Sequence, residues 1–157
     1  MFRFRNIATA FLLHEDKVLM IKRSEDKEIG AGKWFGVGGH IEPSEINNPY
    51  AAALREVNEE TGLKSENIED FDLKYIVYNH VEGEIVVNHI FFGRPDTYDV
   101  VANNEGTLHW VPRSEAIERL ELHALKRVLA HYFSEVREEI MLGVVDCEDP
   151  YIWWYPL

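Results

Sequence analysis

Residues 38–63 read GGHIEPSEINNPYAAALREVNEETGL, a glycine pair followed by a helix-forming run that carries Glu56, Glu59 and Glu60. An α-helix turns about 100° per residue, so with Glu56 at zero Glu60 falls near 40° and Glu59 near 300°. The three carboxylates share roughly one 100° arc. Tyr50, Ala53, Leu54, Val57 and Thr61 occupy the neighbouring arc, so one face is core and the next is acid. Like charges at this spacing cost a few tenths of a kcal/mol per pair in an isolated helix. A divalent cation removes that cost and prefers hard oxygen ligands of this kind. Pro49 suits the first helical position with Asn48 as its cap, and Gly62 is placed to end the helix.

The remainder of the chain supplies a mixed scaffold. Residues 5–14 and 17–23 are β-rich and joined at Glu15-Asp16, which predicts an antiparallel hairpin. Residues 24–33 form a charged loop, and Trp34 to Val37 a short strand leading to Gly38-Gly39. Residues 71–80 and 85–94 predict a second hairpin around Glu82-Gly83. Residues 107–111 predict another strand, stopped by Pro112, with Ser114 capping a short helix. Leu122, Leu125, Val128, Leu129, Tyr132, Phe133, Val136 and Ile140 recur at helical period, which predicts a helix over 122–142 closed by Gly143. The aromatic segment 144–157 is expected to dock on its own domain; covering a groove or packing in a homodimer are the other readings. Hairpins with two substantial helices predict an α/β sandwich around a mixed sheet.

The bulk numbers narrow the function. With 157 residues, one domain over 1–157 is expected, and 46% apolar residues suffice for a core. A net charge of -12 argues against a nucleic-acid polymer or an anionic membrane as partner. A phosphate-bearing substrate would be repelled unless metal ions intervened. The lone cysteine, Cys147, permits no internal disulfide and fits a cytoplasmic setting. The strand-like N-terminus carries Arg3 and Arg5 and does not read as a secretory leader, and no apolar run is long enough to span a membrane.

The acidic helix suits metal-assisted hydrolysis of a phosphoanhydride, which needs a cation on the phosphate oxygens and an activated water. Mg²⁺ is the first expectation and Mn²⁺ shares its oxygen preference. Arg55, beside Glu56 and four residues before Glu59, can hold a glutamate in place or touch phosphate. A Gly-Gly pair allows a main-chain carbonyl or amide to face metal or phosphate.

The constellation resembles the Nudix hydrolase signature, G-x5-E-x7-R-E-U-x-E-E-x-G-U with U bulky and aliphatic. Gly39, Glu45, Arg55, Glu56, Val57, Glu59, Glu60, Gly62 and Leu63 fill its defined positions. The spacing departs from it: nine residues, not seven, separate Glu45 from Arg55, and the two extra residues belong in the loop near Asn47 and Asn48. The resemblance extends over roughly residues 5–140. It implies the family's α/β/α sandwich and a nucleotide substrate. It also implies metal held by Glu56, Glu59, Glu60 and the Gly38 carbonyl, with Glu56 as base or ligand. Arg23, Trp34, Phe35, Gly39 and Glu45 are the expected substrate contacts. A further acid from outside the signature is expected at Glu105, five residues before Trp110, with Glu82 and Glu84 as rivals.

The Gly-Lys-Trp-Phe-Gly-Val-Gly-Gly run at 32–39 looks like the branch that cleaves purine nucleoside triphosphates, including oxidised ones. Two departures stand out: Phe35 occupies the place of a base-reading asparagine, and Ala124-Leu125 the place of an aspartate pair. Phe35, Tyr78 and His80 are candidates to stack on a base, with strand packing the competing role. The reading is a metal-dependent pyrophosphohydrolase releasing monophosphate and pyrophosphate. The alternatives are an ADP-ribose or nucleotide-sugar hydrolase and a sensor that binds nucleotide without cleaving it.

Overall fold

The computed structural model describes residues 3–28, 30–135, 138–146 and 151–157. Cys147 and Val136 lie outside the described residues. The chain order is β1 (Arg3–His14), β2 (Lys17–Arg23), β3 (Trp34–Phe35), β4 (Val37–His40), α1 (Pro49–Thr61), β5 (Ile68–Val81), β6 (Glu84–Pro95), β7 (Gly106–Pro112), α2 (Arg113–Arg119), α3 (His123–Ser134), β8 (Met141–Val145) and β9 (Ile152–Pro156).

Among the described residues the nine strands make one mixed sheet, ordered β3-β2-β1-β6-β5-β8-β9, with β4 also on β1 and β7 also on β2. The expected hairpins are present. Glu15 turns the first with φ 54°, and Glu82-Gly83 turns the second with φ 50° and 82°, the paired positive values of a tight hairpin turn. Strand β1 is the hinge of the layout. Its first half pairs with β4 (Ile7 opposite His40, Thr9 opposite Gly38), and its last residues pair with β2 (Leu12 opposite Leu19). Its other edge runs parallel to β6 from Arg3 to Leu12. The sheet therefore opens between β4 and β2, next to the glycine pair.

Two cores form on the two faces of the sheet. On one, Ala8, Ala10, Leu12 and Phe91 meet Ala52, Ala53 and Val57 of α1. On the other, Phe11, Met20, Ile90 and Phe92 meet Leu125, Val128 and Leu129 of α3, with Ala116 of α2. This α/β layering is the architecture expected from the sequence.

The C-terminal third departs from expectation. The helix predicted over 122–142 ends at Ser134, with Glu135 extended (φ -145°, ψ 139°). The buried period Leu125, Val128, Leu129 is helical, but Met141–Val145 is strand β8, parallel to β5. Tertiary pairing outweighed a run of apolar residues that happened to continue the period. Gly143 does not stop a helix. It sits mid-strand because Trp154 crosses it, and a Cβ there would come within 2.7 Å of the indole. Ser114 is likewise not a cap: α2 starts at Arg113, without a side-chain cap, and the Arg113 N–H is held by the Asp16 carbonyl at 2.9 Å. The described part of the tail docks on its own sheet as β9, antiparallel to β8.

Candidate active site

Helix α1 is capped as its sequence dictates. Asn48 Oδ1 accepts from Ala51 N at 3.1 Å, Pro49 opens the helix, and Gly62 closes it in the left-handed region (φ 74°) with its N–H on Asn58 O. The two extra loop residues leave the helix whole. A short 3-10 turn at Pro43–Glu45 returns the chain from β4 to α1 and presents Glu45 to Arg55.

Arg55 organises the acids. Its Nε and Nη2 hold both oxygens of Glu45 at 2.8 and 3.0 Å, and its Nη1 reaches Glu56 at 2.9 Å and Glu59 at 3.1 Å. Nη2 also donates to the His40 carbonyl at 3.2 Å. A guanidinium has five N–H groups, and five acceptors are met here. The bonds to Glu45 come first in raising the Arg55 pKa further, and the same contact lowers that of Glu45. Arg55 thus serves as a clamp on Glu45, Glu56, Glu59 and the β4 end.

Glu60 sits deeper, 7% exposed, and its Oε2 accepts from Gly38 N at 2.8 Å. Burial pushes its pKa up to about 7 despite that bond, and the charges of Glu56 and Glu105 add to the push while Arg23 opposes it. Burial also raises Glu56, against the hydrogen bond from Arg55. The glycines make this approach feasible. At Gly38 (φ 150°) a Cβ would lie 2.1 Å from the Ala8 carbonyl oxygen, and at Gly39 it would lie 2.6 Å from Glu56 Oε1.

A second cluster brings Glu105 to the same neighbourhood. Glu105 Oε1 accepts from Lys27 Nζ at 2.9 Å and Oε2 from Arg23 Nη2 at 3.3 Å, while Arg23 Nε is buried without a hydrogen-bond partner. Asn103 stitches this loop to the helix: its amide donates to the Glu59 carbonyl at 3.0 Å and its Oδ1 accepts from Glu105 N at 2.8 Å. Val101 N adds a bond to Thr61 O at 2.8 Å. Asn103 and Lys27 were not singled out from the sequence. The polar pair Asn103-Asn104 just before Glu105 was the available signal for the first, and the charged loop hid the second.

Trp34, Phe35 and Glu84 each have protein neighbours of their own. Trp34 is half-buried against the α3-side core, its ring 5.0 Å from the Arg119 guanidinium and 4.9 Å from His109. Phe35 packs beside Gly30, where a Cβ would come within 2.9 Å of its ring. Glu84 pairs with Arg5 at 3.5 Å, away from α1.

On the α3 side of the sheet lies a cavity of about 400 Å³, walled by Ile7, Val77, Val86, Ile90, Leu122 and Leu125 with Asn79 and Asn88. Tyr78 and His80 alternate away from it, because Val77, Asn79 and Val81 take the inward positions of β5. Ala124 and Leu125 do line it. Thr9 connects cavity and glycines: it is paired with Gly38, and its hydroxyl donates to Asn88 Oδ1 at 3.0 Å. Asn88 was legible as a polar residue at an inward position between Val86 and Ile90.

Among the described residues, no three carboxylate, histidine or thiol groups stand together closely enough to enclose an ion as they are. The donor set nonetheless suits a hard divalent cation. It is all oxygen, two of its carboxylates are raised by burial, and Gly39 leaves room at Glu56.

Residues 3–133 match the NUDIX domain. The chain belongs to the Nudix family. It is 30% identical over 129 residues to human diphosphoinositol polyphosphate phosphohydrolase 2, a match covering 78% of this chain and 63% of that protein, so it spans under two thirds of that relative's length. The Nudix fold is shared with the MutT protein of Methanosarcina mazei (TM-score 0.72, 23% identity, 85% of this chain and 95% of that one). It is shared too with an Ap4A hydrolase of C. elegans in a binary complex (TM-score 0.68, 16% identity, 83% and 96%). No helix among the described residues is long and apolar enough to cross a membrane.

Proposed function

We propose that this Nudix chain is a hydrolase acting as one catalytic domain over residues 1–157. Its substrate is a nucleoside triphosphate, which it cleaves to monophosphate and pyrophosphate. The observation that carries the choice of substrate is the cavity joined to the glycine pair through Asn88 and Thr9. Apolar walls with the amides of Asn79 and Asn88, and with Arg5, His123 and Asp146 also lining the cavity, fit a base, which offers flat faces and polar edges. An inositol pyrophosphate would need a cluster of uncommitted cations. In the acidic site Arg55 is consumed by carboxylates and Lys27 is held by Glu105, which leaves Arg23, with one long contact, as a single cation with capacity for a phosphate and no cluster of them.

Glu56, Glu59, Glu60 and the Gly38 carbonyl are the groups that would hold Mg²⁺ or Mn²⁺, which supplies charge neutralisation on the phosphate oxygens and activation of water. Water attacks a phosphorus of the anhydride chain; one P–O bond forms, the bridging P–O bond breaks, and the water's proton passes to a carboxylate. Glu56 suits that role better than Glu105. Its raised pKa improves it as a proton acceptor, whereas both Glu105 oxygens carry ion pairs. Arg23, with its unpartnered buried Nε, is the cation best placed to meet a phosphate, and Arg55 holds the carboxylates in register. The cytoplasm is the expected setting.

Incubation with Mg²⁺ and a panel of nucleoside triphosphates, oxidised triphosphates, diadenosine polyphosphates, ADP-ribose, nucleotide sugars and inositol pyrophosphates, with products resolved, tests the reading. Monophosphate plus pyrophosphate from a triphosphate is expected. Turnover confined to another class would overturn the substrate assignment, and tight nucleotide binding without turnover would overturn the enzymatic one.

A further inference from the structure

The cavity on the α3 side has a polar corner in an apolar wall, and the sheet register lays out its floor. Ile7 of β1 and Val77 of β5 flank Asn88 of β6, and one step along Arg5 and Asn79 flank Val86. Alternate residues of a strand share a face, so Arg5, Asn79 and Asn88 stand together on this floor. The Thr9 hydroxyl decides which end of the Asn88 amide meets the cavity. Thr9 is 5% exposed, and among the described residues its side chain hydrogen-bonds to Asn88 Oδ1 alone, at 3.0 Å. Turning the amide over would leave the hydroxyl hydrogen buried without an acceptor, which is costly. Oδ1 is thereby held towards Thr9, and the NH2 end remains. Nδ2 has no protein partner among the described residues and is not sealed from solvent, so it opens on the cavity that Asn88 lines. Arg5 adds donors only: its ion pair with Glu84 is long, 3.5 Å at Nε, and Nε makes no hydrogen bond. Asp146, an acceptor at the same cavity, follows β8, two strands away from β6, and already has an interaction within the protein.

We propose that Asn88, turned by Thr9, is a specificity-determining residue that selects a base with a ring carbonyl over one with an amino group in the same place. Guanine, hypoxanthine and uracil are of the first kind, adenine and cytosine of the second. The proposal rests on the nucleotide reading of this cavity and adds the class of base. An amide N–H meets a carbonyl oxygen favourably. It meets an amino group donor against donor, and both are then left unpaired between apolar walls, where an unmade hydrogen bond is most expensive. A 6-oxopurine gains further, because its O6 and N7 are neighbouring acceptors and Arg5 brings more N–H groups to the same floor. Thr9 does not touch the base in this arrangement. It is a positioning residue, and its contribution is the orientation of the amide.

Inosine and adenosine triphosphates make the cleanest pair, since they differ only in the group on C6 and the N1 proton that goes with it. With Mg²⁺, kcat/KM for the inosine nucleotide should exceed that for the adenosine nucleotide about tenfold or more, with the difference mainly in KM. Asn88→Asp keeps the size and replaces the donor by an acceptor, so the preference should vanish or reverse. Thr9→Val frees the amide to turn, so the preference should shrink severalfold, chiefly by improving the adenosine nucleotide. Equal kcat/KM for the two nucleotides in the wild type overturns the proposal. So does an inosine preference that both substitutions leave intact, which would place base selection elsewhere. Calorimetry with the same pair separates this proposal from the reaction assigned above. Selective binding of the inosine nucleotide without cleavage would overturn the reaction and support the base class, and cleavage of both at equal rates and equal KM would do the reverse. Failure to bind either nucleotide overturns both.

Discussion

Two arginines serve the acidic site and are used in opposite ways. Arg55 spends its donors on Glu45, Glu56, Glu59 and the His40 carbonyl, so it is a structural clamp inside the signature. Arg23 reaches Glu105 through one long contact of 3.3 Å and leaves its buried Nε without a partner. The contrast teaches that a cation's role is set by how much of it is already spoken for. The clamp fixes geometry, and the under-used arginine retains capacity for an anion.

The largest effects should come from the acids that Arg55 holds. Glu56→Gln keeps size and hydrogen bonding but removes the proton acceptor, and kcat should fall by about 10² to 10⁴. Glu59→Gln should lower turnover on the order of a hundredfold through weakened metal binding, read as a higher Mg²⁺ requirement by activity titration or calorimetry. Wild-type turnover with unchanged metal affinity in either variant would remove these residues from the site. Arg55→Lys follows with a loss of roughly ten- to a hundredfold, because an ammonium cannot hold both Glu45 oxygens in a fork. An Arg55→Lys enzyme of full activity would mean that the clamp is dispensable.

How far the sequence alone reached follows from the same distinction. The capped helix, the glycine pair and the acids are local in sequence, so helical period and backbone freedom were enough to place Glu56, Glu60 and Arg55 together. Glu45 lay across an irregular loop, and the 3-10 turn that returns it to Arg55 left no periodic trace. The role of Glu105 depends on partners 78 and 82 residues away, Lys27 and Arg23, and no local pattern encodes such distant contacts. Trp34 and Phe35 pack against the α3-side core, a neighbourhood that their short strand alone does not encode. The helix expected over 122–142 ended at Ser134 and its last residues entered strand β8, because β5 offered an edge that only the assembled sheet reveals.

The second cluster gives a smaller and different signature. If Glu105 is chiefly the counter-ion that seats Arg23 and Lys27, Glu105→Gln should cost about tenfold and raise KM more than it lowers kcat. Asn103→Ala should shift KM in the same direction by less, since it loosens the loop and leaves the charge in place. A drop in kcat for Glu105→Gln as large as that of Glu56→Gln would make Glu105 the proton acceptor and reverse the comparison between the clusters.

The smallest expected effect concerns stability, at His89 on β6. Burial lowers its pKa, with the bond to the Ile7 backbone opposing, and its Nδ1 is buried without a partner. A histidine with a depressed native pKa contributes stability that is present above its unfolded value of about 6.5 and is lost as pH falls below it. Glu60, raised to about 7, acts with the opposite sign in the metal-free protein: its charged form is disfavoured by folding, so acidification below pH 7 relieves that cost. The two contributions oppose each other between about pH 7 and pH 5. Thermal melts of metal-free wild type and His89→Gln across that range separate them. The variant should gain relative to wild type as pH drops, because it has no imidazole to charge. Parallel pH profiles for the two proteins would show that His89 is solvated and carries no share of the acid sensitivity.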